Sequence, residues 1–128
     1  MFYRKNGRAN DGKTGKIKDL CGILLIASSI THVIQLFFVG FEWHDIGAAF
    51  IGSLYGILGI LLIMYRTSKV ITMIGILYPT FGGMLGLYRL INIEIAVHGT
   101  INWFIVWHVA VDIVVVLICI HSFLKIRK

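Results

Sequence analysis

Ile101–Leu124, INWFIVWHVAVDIVVVLICIHSFL, decides the fold class. The stretch holds one carboxylate, Asp112, and no lysine or arginine. About 20 mostly apolar residues are enough for a helix to cross the hydrocarbon of a bilayer. Working towards the N-terminus, three more stretches of that kind appear. Leu20–Gly40 has no acid or base, Ile46–Tyr65 is rich in glycine, and Val70–Ile91 carries Pro79 near its middle and Arg89 near its end. A barrel strand alternates apolar and polar residues over about ten positions, and one short chain has too few strands to close a barrel. Backbone groups in lipid must be paired internally, so helices are the remaining solution. The expected architecture is an all-α integral membrane protein, a four-helix up-down bundle. It forms one domain over residues 20–124, with a basic arm at 1–19 and a basic tail at 125–128.

The whole-chain composition agrees. Of 128 residues, 58% are hydrophobic and 14% charged, with a mean hydropathy of +0.87. A soluble domain carries roughly 25% charged residues. High apolar content excludes intrinsic disorder. Two cysteines make no disulfide framework, and there is no C-x-x-C. No phosphate-binding glycine loop, H-E-x-x-H or Ser/His/Asp nucleophile motif is present.

The formal charge of +6 belongs to a membrane surface rather than to nucleic acid. Eleven of the twelve basic residues fall before the first span, between spans two and three, or after the fourth. Arg89 is the exception. The other two connections carry Glu42, Asp45 and Glu94, and Trp43, Trp103 and Trp107 lie at the same ends of their spans. Lysine and arginine collect on the cytoplasmic side, and indoles favour the headgroup level. Both termini are therefore expected in the cytoplasm of a multi-pass cell-membrane protein. The N-terminus does not read as a cleavable signal, because its basic region is long and its apolar run is span-length. Asn6–Gly15, rich in Gly, Asn, Asp and Lys, reads as flexible.

Gly52 and Gly56 on the second span, and Gly82 and Gly86 on the third, have G-x-x-x-G spacing. Small residues let helices approach closely in lipid. The short connection predicts that these two spans pack on each other through the four glycines. Residues 55–66 and 78–89 also match at five of twelve positions, which composition bias explains.

The chemistry lies on spans one and four. Cys21, Leu25, Ser28, His32 and Gln35 alternate at spacings of four and three, as do His108, Asp112, Val115, Cys119 and Ser122. Each set forms one helix face. At 1.5 Å rise per residue, His32, His108 and Asp112 reach similar depths in the outer half. Asp112 is the one carboxylate well inside a span, and such a group is a functional-site hypothesis by default. Three readings compete. The three side chains form a hydrogen-bonded knot that fixes packing. Or they hold a cofactor, with His32 and His108 ligating haem b, or with Asp112 added for copper, zinc or non-haem iron. Or they relay protons and bind a transported ion. A second histidine–carboxylate cluster for metal is Glu42, His44, Asp45, Glu94 and His98 in the outer loops, where a solvated acidic loop is the simpler account.

The function expected from these residues is that of a small accessory subunit in a larger membrane complex of respiratory or monooxygenase type, without catalysis of its own. The expected partners are lipid and other membrane subunits or further copies of the chain. The alternatives are a haem- or metal-binding redox protein and a small proton-coupled ion or drug transporter.

Overall fold

The structure, a computed structural model, describes residues 3–127. Four α-helices run α1 (Tyr3–Val39), α2 (Trp43–Met64), α3 (Lys69–Arg89) and α4 (Trp103–Arg127), and α3 continues as a π-helix over Leu90–His98. Each contains a stretch long and apolar enough to span a membrane: Gly15–Phe38, Trp43–Met64, Lys69–His98 and Trp103–Ile126.

Local chemistry sets the ends. Gly40 takes φ +118°, a conformation closed to other L-residues, and ends α1. The Ser68 hydroxyl caps α3 by accepting from the Ile71 amide at 3.3 Å. Gly99, in the left-handed region at φ +66°, ends the π-helical segment by donating to Glu94 and Ile95 carbonyls. The Asn102 side chain accepts from Phe104 N at 3.0 Å ahead of α4. The flexible arm expected over Asn6–Gly15 is instead part of α1. Lengthening a helix already nucleated in the span costs far less than starting one, and no proline interrupts the segment.

The helices pair as two hairpins, α1 with α2 and α3 with α4, joined along α1 and α4; of the four neighbouring pairs, α2 and α3 touch least. This revises the glycine seam. A Cβ on Gly56 would lie 2.9 Å from Ser29 Oγ, and one on Gly59 would lie 2.6 Å from the Gly22 carbonyl oxygen, so α2 turns its glycines to α1. Gly52 likewise lies against the His32 ring. On α3, Gly86 meets Val109 of α4, while Gly82 sits between Tyr55 of α2 and Asp112 of α4. A short connection makes two helices neighbours. It does not set how each is rotated about its axis, and the small-residue faces rotated towards the partners that pack closest.

The centre consists of Cys21, Leu25, Tyr55, Leu58, Leu62, Val111, Val115 and Cys119. It fills the half of the bundle nearer the termini, called here the basic end. The other half, towards Glu42, Asp45 and Glu94, is the acidic end.

Candidate functional site: a polar cavity at the acidic end

Both stripes face inward. Cys21, Leu25, Ser28 and Gln35 on α1 are buried, as are His108, Asp112, Val115, Cys119 and Ser122 on α4. The His32 and His108 rings stack with centroids 3.5 Å apart and planes 9° apart. Tyr55 meets His32 edge-on at 6.0 Å and Tyr78 at 5.2 Å. Its hydroxyl also interacts with the Asp112 carboxyl group.

Thr31 organises the histidine pair. Its hydroxyl donates to the Ser28 carbonyl at 2.8 Å, which commits its one proton. Trp107 Nε1 donates to it at 3.1 Å, and His108 Nε2 lies 2.9 Å away. With no proton left to give, Thr31 accepts from both rings, so His108 carries its hydrogen on Nε2 and keeps an Nδ1 lone pair.

The stacked rings of His32 and His108 do not have the arrangement of axial haem ligands in this structure. Axial ligation needs two ring nitrogens aimed at one iron from opposite faces of the porphyrin. Rings lying face to face aim their nitrogens along two parallel planes. Nor do His32, His108 and Asp112 gather into a metal set. Among the described residues, three ligand atoms come together only at Glu42, His44 and Asp45. There, His44 Nε2 is 3.2 Å from Glu42 and 3.6 Å from Asp45. Asp45 is already bound to Arg89, which also lies 3.7 Å from Glu94. That cluster is an ion-pair network closing the acidic end. His98 lies exposed at the end of the π-helical segment.

A cavity of about 350 Å³ opens beneath this network and reaches all four helices. Its polar lining comes from His32, Gln35, His44, Tyr55, Arg89, His108 and Asp112, with apolar walls that include Ile51, Leu85 and Ile105. Among the described residues, seven buried side-chain polar atoms have no hydrogen-bond partner, and four of them belong to residues that line the cavity: His32 Nδ1, Gln35 Oε1, Arg89 Nε and Asp112 Oδ1. Gln35 is 2% exposed and Asp112 3%. A second hollow of about 270 Å³, apolar and set between α3 and α4, shares Asp112.

Arg89, the one basic residue that the sequence places at the acidic end, is a residue of this site and lies 3.7 Å from Glu94. Its main partner, Asp45, lies 44 positions away and faces inward only because of how α2 is rotated. Tyr55 was legible only as half of a weak repeat, although a phenol in mid-span needs a polar partner and could have been traced from that need. Thr31 lies beside the stripe rather than on it.

No protein-family model, curated protein or solved structure matches the chain.

Proposed function

We propose that this protein is a membrane-embedded binding protein that holds a small amphipathic molecule in the cavity at its acidic end. The supporting observation is that four residues carrying unpartnered buried polar atoms line one cavity. Each such atom costs about 1–3 kcal/mol when left unmade, and buried polar groups are satisfied in the great majority of cases. A bound molecule that satisfies them recovers that cost.

The donor and acceptor pattern defines the ligand. Arg89 Nε–H needs an acceptor, while Gln35 Oε1 and Asp112 Oδ1 each need a donor or, for a carboxylate, a cation. The ligand therefore carries hydroxyl or amine groups together with at least one acceptor, on an apolar body that suits Ile51, Leu85 and Ile105. Such a molecule dissolves in lipid. The slack contact between α2 and α3, with half-exposed Ile51 and Leu85 lining the cavity, supports entry from the side. A two-helix-hairpin protein of this size that binds without turning over fits the role of a ligand-holding subunit beside a larger membrane enzyme. The basic asymmetry further supports cytoplasmic termini in the cell membrane, which would open the cavity to the outer leaflet. Thiol labelling of single cysteines at Lys125 and His98 tests that orientation.

Native mass spectrometry of the protein released from its host membranes tests the binding. Wild type is expected to retain one small molecule of defined mass that Gln35→Leu and Asp112→Asn lose. If all three retain the same bulk lipids and nothing else, the binding reading fails.

A further inference from the structure

Thr31 is not part of the cavity lining, yet it governs one residue that is. Its oxygen donates to the Ser28 carbonyl at 2.8 Å, while Trp107 Nε1 lies 3.1 Å and His108 Nε2 2.9 Å from it. A hydroxyl offers one proton and two lone pairs, and an indole nitrogen can only donate. The three contacts therefore saturate Thr31. Turning its proton to His108 instead would leave two oxygens, its own and that of Ser28, 2.8 Å apart with no hydrogen between them. His108 is thus held as the tautomer with its lone pair on Nδ1, and the His32 ring stacked at 3.5 Å fixes its plane. His108 and Asp112 stand one turn apart on α4, both more than nine-tenths buried and both lining the cavity. Asp112 Oδ1 has no hydrogen-bond partner. Two acceptors in succession, without a donor of their own between them, face whatever enters.

We propose that the cavity takes a lipid-soluble hydroquinone, whose two hydroxyls donate to His108 Nδ1 and to Asp112, and that Thr31 is the positioning residue that sets this preference. The proposal rests on the binding reading above and names its ligand class. The para oxygens of a hydroquinone stand about as far apart as one turn of helix, ~5.4 Å, which is the rise between His108 and Asp112. A lone alcohol or amine meets one acceptor and leaves the other. A glycerol head carries its hydroxyls on neighbouring carbons, too close together to reach both levels. The matching benzoquinone has the same ring and tail but only carbonyl oxygens, so it sets a lone pair against the Nδ1 lone pair. Ile51 and Leu85, half-exposed on the α2–α3 side of the cavity, suit the apolar tail. Binding forms hydrogen bonds and changes no oxidation state.

The test is anaerobic equilibrium dialysis of the purified full-length protein in detergent against decylhydroquinone and, separately, decylbenzoquinone. Wild type is expected to hold one hydroquinone per chain, at least about 10-fold more tightly than the quinone, the range that one unmet buried polar group commands. Thr31→Val keeps the shape but cannot accept from His108, so the preference should fall to near unity. Thr31→Ser should restore it. Loss of packing alone would weaken both compounds together and leave their ratio unchanged. Nitrogen-15 NMR, with the His108 signal assigned by its loss in His108→Asn, should show the ring hydrogen on Nε2 in wild type and Thr31→Ser. The proposal is overturned if wild type binds neither compound or both equally, if Thr31→Val keeps the preference, or if His108 carries its hydrogen on Nδ1. Should protein from host membranes retain a small molecule that Gln35→Leu loses while hydroquinone fails to bind, the binding reading stands and the hydroquinone assignment falls.

Discussion

The two ends of the bundle use the same materials for opposite purposes. At the basic end, Gly22 and Gly59 bring α1 and α2 so close that a Cβ on either would lie 2.6 Å from the other's carbonyl oxygen. Leu25, Leu62, Val115 and Cys119 fill what is left with no exposed surface. At the acidic end the glycines divide: Gly52, Gly82 and Gly86 make close contacts with His32, Tyr55 and Val109, whereas Gly47 opens onto space. A Cβ on Gly47 would meet nothing within 4 Å, and Gly47, Gly82 and Gly86 all line the cavity. Lipid tails give helices no hydrophobic reason to associate, so dense packing and satisfied polar groups must hold the bundle. The basic end supplies the dense packing, and its buried Lys18 is held by Thr72 and the Arg66 carbonyl. The acidic end leaves polar atoms unmade and is kept closed by the buried Asp45–Arg89 pair. A fold of this size therefore carries its stability in one half and its recognition in the other.

The largest expected effect would break the acidic end. Arg89→Met leaves the buried Asp45 carboxylate without its main partner, with only His44 at 3.6 Å, and breaking such a buried pair costs about 3–5 kcal/mol. Asp45→Asn added to it should recover much of the loss. Denaturant unfolding in mild detergent reads both. A loss for Arg89→Met below about 1 kcal/mol, the range of a surface pair, would show that this pair is not what closes that end.

A smaller effect separates the two kinds of glycine. Gly22→Ala should overpack the α1–α2 seam and cost about 1–3 kcal/mol. Gly47→Ala, into open space, should stay within about 0.5 kcal/mol of wild type. Equal losses at the two positions would erase the distinction between a packed half and a hollow one.

The smallest effect has the opposite sign. Gln35→Leu removes an unpartnered buried amide oxygen, so the ligand-free protein should gain about 1 kcal/mol while losing its ligand. Thermal unfolding of ligand-stripped protein measures the gain. A loss of stability instead would mean that Gln35 is already satisfied and supports the fold.

The inward direction of the two polar stripes was legible because helical spacing is local: residues three and four apart share a face wherever the helix stands. The similar depth of His32, His108 and Asp112 was legible for the same reason. Their relation was not. A ring stack, a threonine that sets one histidine's tautomer and a tyrosine reaching Asp112 depend on side-chain directions across three helices. Periodicity along one chain segment carries no information about them. Arg89 shows the same limit, since its charge was plain in the sequence while its partner depended on the rotation of α2.

The sequence alone determined that this chain is four apolar helices, with basic and acidic connections at opposite ends and a polar face on the first and last. Hydrophobic length and 3.6-residue periodicity are properties of consecutive residues, and they survive whatever the helices later do. The tertiary structure decided which glycines meet which helix, that the two histidine rings stack, and where a cavity remains. Those outcomes depend on the rotation of each helix about its axis. That rotation is settled only when all four pack together and their side chains compete for the same space.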